Sequence, residues 1–246
     1  MLPILQVGPF ALQTPGLILI IGLWIGLSVA ERFADRFGIP SERIYNLTFI
    51  MLIAGIVGAR LSVAVQFPAA FIENPISLVS LNPALLDPAG GLGIAMIAGL
   101  IYINRNGLMI TSALDALTPA LGILAIALSL SNLAAGTAFG SPTDMPWGIL
   151  LWEEVRHPTQ IYQAGFQALI LWFVWPGRKQ VKQPSGTLFL IWLALSAGAR
   201  ILVEAFRADS LLLPNGVRQA QIIAWAVLAA SLLMLYKFQT RETAIK

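Results

Sequence analysis

The sequence predicts an all-α integral membrane protein, a bundle of about seven transmembrane helices with its N-terminus outside and its C-terminus in the cytoplasm. Three observations point there. Apolar residues make up 57% of the chain and charged residues 11%, where a soluble domain carries about 25% charged residues. The apolar runs are too long for strands and do not alternate, so strands are not expected. Basic residues gather in every second connection.

The helices are expected at Leu12–Ala30, Asn46–Gln66, Gly90–Asn104, Leu108–Leu130, Gln160–Trp175, Gly186–Val203 and Gln219–Tyr236. Each span needs roughly 20 residues, which suits one transmembrane domain over 1–246. The first apolar stretch is long enough to cross and lacks a basic segment before it, so it reads as a span and not a cleavable signal. The second carries Arg60 and the small-residue spacing Gly55-Ile-Val-Gly58, which lets another helix or a lipid come close. The third opens on Gly90-Gly91 after Pro88, either a turn at a helix start or a close approach to lipid. It and the fifth are short for a ~30 Å core. The fourth holds Asp115, expected to play a structural part by hydrogen-bonding main chain freed by Pro119. The fifth opens on Arg156-His157-Pro158-Thr159-Gln160-Ile161-Tyr162, with Thr159 as N-cap. The sixth carries Arg200 and Glu204 one turn apart.

Orientation follows from charge. Arg32, Arg36, Arg43, Arg105, Arg178, Lys179, Lys182, Lys237, Arg241 and Lys246 fall on one side of a seven-span chain, and Arg156, Arg207 and Arg218 on the other. The richer side is the cytoplasm. The outer loops are then 67–89, 132–159 and a shorter one at 204–218. The first two hold Pro68, Pro75, Pro83, Pro88, Pro142, Pro146 and Pro158. Loops of this length are often functional, so chemistry is expected near the outer surface.

Cysteine is absent and His157 is the single histidine. That excludes disulfides, thiolate nucleophiles and cysteine metal sites, and argues against a histidine-rich metal centre. No cofactor, metal or nucleic-acid partner is expected. A charge at the centre of a span costs about 2.5–3.5 kcal/mol, so Arg60, Asp115, Arg200 and Glu204 call for an explanation. Counted at 1.5 Å per residue from the expected helix starts, Arg60 and Arg200 both lie about 21 Å up. With Glu204 neutralising one of them, a positive surplus remains that suits a lipid phosphate. The alternative is that both snorkel to the outer headgroups or form structural pairs. Arg156, His157 and Gln160 could line an outer polar pocket, with His157 ready for proton transfer, or His157 could be structural.

The heptapeptide Arg156–Tyr162 resembles the R-H-P-[ST]-Q-[LI]-Y signature of prolipoprotein diacylglyceryl transferases. Further landmarks follow in order. Gly58-Ala59-Arg60 resembles G-[GA]-R, and Gly90-Gly91 the end of H-G-G. Asp115 to Pro119 is similar to D-x-x-x-P. Asn132, Gly136 and Gly140 fit R-x-G-N-F-x-N-G-E-x-x-G. Ala199 to Arg207 resembles F-R-x-x-[VI]-E-x-[FL]-R, and Gln221 matches a late glutamine. The chain departs from those motifs at Ala89 for histidine, Ser129 for arginine, Ala135 for asparagine, Thr137 for glutamate and Ser196 for tyrosine.

The resemblance implies a seven-helix enzyme of the bacterial inner membrane. Such an enzyme moves the diacylglyceryl group of phosphatidylglycerol to the thiol of a prolipoprotein lipobox cysteine at the outer face, and glycerol 1-phosphate leaves. It implies a phosphate- and lipid-binding set of Arg60, Arg200, Arg207, Arg156, Asn132, Gly140, Gly90 and Gly91. It also implies His157 or Glu204 as base, and Asp115 and Gln160 as structural polar residues. The departures leave a second reading, a family member that binds phospholipid or lipoprotein without transfer. An unrelated transporter would show inverted repeats, and none is evident.

Overall fold

The computed structural model describes residues 4–7, 10–79, 85–176, 184–214 and 216–245. Pro83, Arg178, Lys179, Lys182 and Lys246 therefore lie outside the described residues. Seven long helices are present: α1 (Thr14–Ala34), α2 (Ser41–Gln66), α4 (Pro88–Arg105), α5 (Ile110–Ala135), α6 (Thr159–Phe173), α7 (Thr187–Glu204) and α8 (Gln219–Ile245). A short α3 (Pro68–Glu73) and a 3-10 turn at Pro75–Val79 occupy part of the connection expected at 67–89.

Among the described residues, five helices are long and apolar enough to cross a membrane: α1, α2, α5, α7 and α8. The two expected to be short, α4 and α6, are the exceptions. At 15 residues α6 is about 22 Å long, less than the ~30 Å core. In α4 the glycines and the Asn104-Arg105 end dilute the apolar run.

Strands do occur, contrary to expectation, as two hairpins too short to register as alternation. Strand β1 (Ile4–Val7) pairs antiparallel with β2 (Phe10–Gln13). Strand β3 (Ile149–Leu151) pairs with β4 (Glu154–Arg156) inside the connection expected at 132–159. Trp152 and Glu153 at the tip of the second hairpin have φ of 53° and 66°, as a two-residue type I′ turn demands.

Local chemistry sets the helix ends. Pro15 starts α1, and Gly38 at φ 72° ends the 3-10 turn that follows it. Pro40 precedes Ser41, so α2 begins there and not at Asn46. Asp87 caps α4, with Pro88 in its first turn. Gly136 at φ 75° ends α5, which runs past Leu130.

The bundle is apolar outside and carries polar groups among the apolar side chains within. Trp24 is 70% exposed and Val65 79%, while Ser112, Asp115, Ser129, Gln160, Gln167 and Glu204 are buried. That inversion fits a lipid solvent, in which polar groups must find partners inside the protein. α1 packs along α5, α2 along α4, and α7 along α8, with α6 between α5 and α7. An aliphatic core of Ala30, Ala34, Ile44, Leu47, Ala113 and Ala116 ties α1, α2 and α5 together.

Candidate functional site

The ends of α5, α6 and α7 are clamped by main-chain bonds. Gly140 N–H donates to His157 O (3.2 Å), Ser141 N–H to Phe206 O (2.8 Å), His157 N–H to Ser141 O (3.0 Å), and Ala208 N–H to Phe139 O (3.0 Å). The segment after α5 thus threads between the start of α6 and the end of α7. A Cβ on Gly140 would lie 2.4 Å from His157 O, so the crossing requires glycine.

Beneath this crossing is a small polar cavity of ≈ 20 Å³, lined by Ser129, Asn132, Gln160, Gln163, Arg200 and Arg207 among others. It has room for about one water. Gln160 Nε2 donates to Thr137 O at 2.7 Å, which fixes the orientation of its amide. Gln160 Oε1 and Gln163 Oε1 are both buried and accept no hydrogen bond. A buried acceptor without a donor costs about 1–3 kcal/mol, so the pair suits a guest that donates. Asn132 Oδ1 accepts from Thr137 Oγ1 at 3.2 Å. Thr137, where the resembled motif has glutamate, therefore ties Asn132 to Gln160.

Charge is concentrated on the Arg200 side. The Glu204 side chain is 1% exposed, with Oε2 2.9 Å from Arg200 Nη2 and 3.8 Å from Arg207 Nε. The Arg200 contact is an ion pair without hydrogen-bond alignment. Glu204 Oε1 accepts from Ser210 Oγ at 2.5 Å. Arg218 Nη1 donates to Ser210 Oγ (2.9 Å) and to Arg207 O. Arg207 also pairs with Asp209 at 2.8 Å. Three guanidiniums thus meet two carboxylates, and one positive charge is left over.

Arg200 has a second environment. It lines an apolar trough of ≈ 320 Å³ between α7 and α8, with Ser196, Ala197, Ala220, Ile223 and Ala224. Arg200 stands where a polar cavity meets a greasy one. Ser196, at the resembled tyrosine position, donates to Gln167 Oε1 at 3.3 Å.

The structure brings Arg200, Arg207, Asn132 and Gln160 together around the cavity, with Glu204 bonded to the two arginines. Arg60 lines neither cavity. It donates to Ser77 O at 3.4 Å. Because α2 starts at Ser41, Arg60 stands about 28 Å along its helix and Arg200 about 20 Å along its own, so the equal count from the helix starts does not hold.

His157 and Arg156 also stand apart from both cavities. His157 packs on Phe206, ring centres 5.2 Å apart, and its Nδ1 lies 3.2 Å from Tyr162 Oη. Tyr162 Oη already accepts from Trp147 Nε1 at 2.8 Å. Tyr162 thus joins Trp147 to His157 in one short chain of polar contacts. Arg156 donates to Leu151 O and Gly140 O, pairs with Glu154 and sits over the Phe139 ring.

Gly90 and Gly91 lie where α4 meets α2. A Cβ on Gly91 would be 2.8 Å from both Gly55 O and Ala59 Cβ, and one on Gly90 would be 2.3 Å from Ser62 Cβ. Both glycines serve close helix packing. Asp87 beside them accepts from Ser62 Oγ (2.6 Å), Ala89 N–H (3.0 Å), Gly90 N–H (3.2 Å) and Gln66 Nε2 (3.3 Å). The Ser62 hydroxyl, more than any other donor, holds its carboxyl below the usual value. Asp115 is bonded to main chain, though not near Pro119. It takes the N–H groups of Gly186 and Phe189 at the start of α7.

Sequence reasoning passed over Gln163, Ser210, Arg218 and Asp87. Gln163 follows Gln160 by three residues on one helix face, and Asp87-Pro88 is an N-cap signal, so both could have been found. Nothing local marks Ser210 or Arg218.

The prolipoprotein diacylglyceryl transferase family model matches residues 3–237. A Prochlorococcus marinus (strain NATL1A) protein named phosphatidylglycerol–prolipoprotein diacylglyceryl transferase is 26% identical, over 98% of this chain and 91% of its own. Proteins of that name from Synechococcus sp. (strain CC9902) and Thermotoga maritima are each 28% identical. They cover 96% and 90% of this chain, and 92% and 79% of their own. Since the family model spans nearly the whole chain, the chain belongs to the prolipoprotein diacylglyceryl transferase family.

Proposed function

We propose that this chain transfers the diacylglyceryl group of phosphatidylglycerol to the thiol of a lipobox cysteine, at the outer face of a bacterial inner membrane. Residues 1–246 act as one transmembrane domain, with α1, α2 and α4 to α8 all crossing and with outer loops at 67–89, 132–159 and 204–218. The names of the relatives support the activity. The observation that carries the reading is the position of Arg200, facing a polar cavity on one side and an apolar trough on the other. A phospholipid has that same division between phosphate and acyl chain.

In this reading Arg200 and Arg207 hold the phosphate, and the leftover positive charge favours an anion. Asn132, Gln160 and Gln163 offer acceptor oxygens to a single headgroup hydroxyl, which is what a cavity of about one water's size admits. The cysteine sulfur bonds to the terminal glycerol carbon, the carbon–oxygen bond to phosphate breaks, and its electron pair leaves with glycerol 1-phosphate. The thiol proton passes to Glu204, whose carboxylate is released as the phosphate draws Arg200 away. The arginines stabilise charge where it develops, which is where such donors are most effective. Arg60, beside the α2–α4 contact formed by Gly90 and Gly91, meets lipid headgroups at the bundle's other side. His157, Arg156 and Gly140 position the clamp over the cavity, and Asp115 positions α7.

The test is transfer of labelled diacylglyceryl from phosphatidylglycerol vesicles to a lipobox peptide, beside a lipid-binding measurement. Both should be positive, and the chain should rescue a cell depleted of its own transferase. The absence of both binding and transfer would overturn the reading.

A further inference from the structure

We propose that the trough between α7 and α8 holds one acyl chain of the phospholipid and sets its length. This rests on the reading that Arg200 binds the lipid phosphate.

Below the trough at Arg200 lies a second apolar cavity, of ≈ 380 Å³. Both are lined by Leu193 and Val227, so the two cavities adjoin at these side chains. The lining residues step from Arg200 through Leu193 and Leu190 to Gly186 on α7. They step from Ala220 through Val227 and Ala230 to Met234 on α8. The two helices therefore run antiparallel along both cavities, which together form the proposed channel. From Arg200 to Gly186 the helix rises about 21 Å, and the rise from Ala220 to Met234 is the same.

One leaflet of a bilayer has about 15 Å of hydrocarbon, half of the ~30 Å core. A chain anchored at Arg200 ends near Leu190 and Ala230 and stays inside the channel. Small side chains at Ala197, Ala220, Ala224 and Ala230 leave the space, and Phe238 and Met234 narrow its far end. The two serine hydroxyls on the path are occupied elsewhere. Ser231 donates to Val227 O at 2.7 Å and Ser196 to Gln167 Oε1 at 3.3 Å. The wall is thus apolar, with its charge at one end, as a lipid tail requires.

The test uses the full chain in vesicles of phosphatidylglycerol mixed in acyl length, with the retained lipid identified by mass spectrometry. Ala230→Phe plugs the channel about 15 Å from Arg200, and Val227→Phe about 10 Å from it. The acyl chains retained by Ala230→Phe should shift to shorter lengths than those retained by the wild type, lowering the ratio of long to short, because the plug removes packing contacts for the chain end. Val227→Phe should move the cut-off to shorter chains still. Leu233→Phe, at a residue of α8 that is 62% exposed and lines neither cavity, should leave the wild-type ratio. A folded plug variant with the wild-type ratio overturns the length-setting channel, even if the protein binds phosphatidylglycerol. If the wild-type chain retains no phosphatidylglycerol, or Arg200→Ala retains as much, the headgroup reading fails and the channel's role with it.

Discussion

Asp115 Oδ2 accepts the main-chain N–H of Gly186 at 2.6 Å, across 71 positions of sequence. Its other oxygen takes the N–H of Phe189 at 2.9 Å. A carboxylate from α5 thereby caps the start of α7, which has no capping side chain of its own. Thirteen residues on stands Arg200, so the rotation and height of the candidate phosphate contact are set from the opposite end of its helix.

Asp115→Ala is expected to cost about 2–3 kcal/mol, since two charge-assisted bonds to buried main chain are lost together. Asp115→Asn keeps one acceptor oxygen and should cost less. Denaturation midpoints in detergent measure both, and equal midpoints for wild type and Asp115→Ala would contradict the cap.

Glu204→Gln should lower transfer by a factor of about 10²–10³, the usual loss for one group acting in a transition state. Retention of phosphatidylglycerol should hold or rise, because Arg200 loses the carboxylate that competes with phosphate. The paired measurement is transfer rate and bound lipid on the same preparation. Full transfer by the variant would remove Glu204 from the chemistry.

The Asp87 carboxyl is held below its usual value of 3.8, chiefly by the Ser62 hydroxyl and then by the Ala89 N–H. A carboxyl depressed by folding stabilises the fold above its unfolded value, and that contribution is lost as pH falls through the folded value. The contact between α2 and α4 should therefore weaken only in acid below the ordinary carboxylate range. Asp87→Asn should flatten that acid limb in melting curves taken against pH, and an unaltered limb would assign it to other groups.

Reporter fusions after Lys182 and after Lys246 should both read cytoplasm, and one within the segment around Ser141 should read outside. An external signal at either lysine would reverse the proposed orientation.

The helices were legible because long apolar runs leave few alternatives, and the two that fall short of a span by length and composition, α4 and α6, were legible as short. The hairpins were not. Trp152 and Glu153 adopt positive φ without the Asn-Gly or Asp-Gly pair that announces such a turn. The pairing of Arg200 with Glu204 was readable from their spacing of one turn. Its extension to Ser210 and Arg218 was not, because those contacts depend on how the chain folds back after α7. The equal count of Arg60 and Arg200 from their helix starts failed because Pro40 sets α2 going earlier than its apolar run suggests. The bond from Asp115 to Gly186 joins two helices and has no local signature at all.

The bonds of the clamp over the polar cavity run from backbone to backbone, at Gly140, Ser141, His157 and Ala208. A roof built of peptide groups is indifferent to most of the side chains hung on it. Ala135 and Thr137 can replace an amide and an acid there without opening the structure, while Gly140 cannot gain even a methyl group. The architecture around the cavity can therefore outlast wide drift in its own sequence, and the surviving constraints concentrate at one glycine and at the charged groups beneath it.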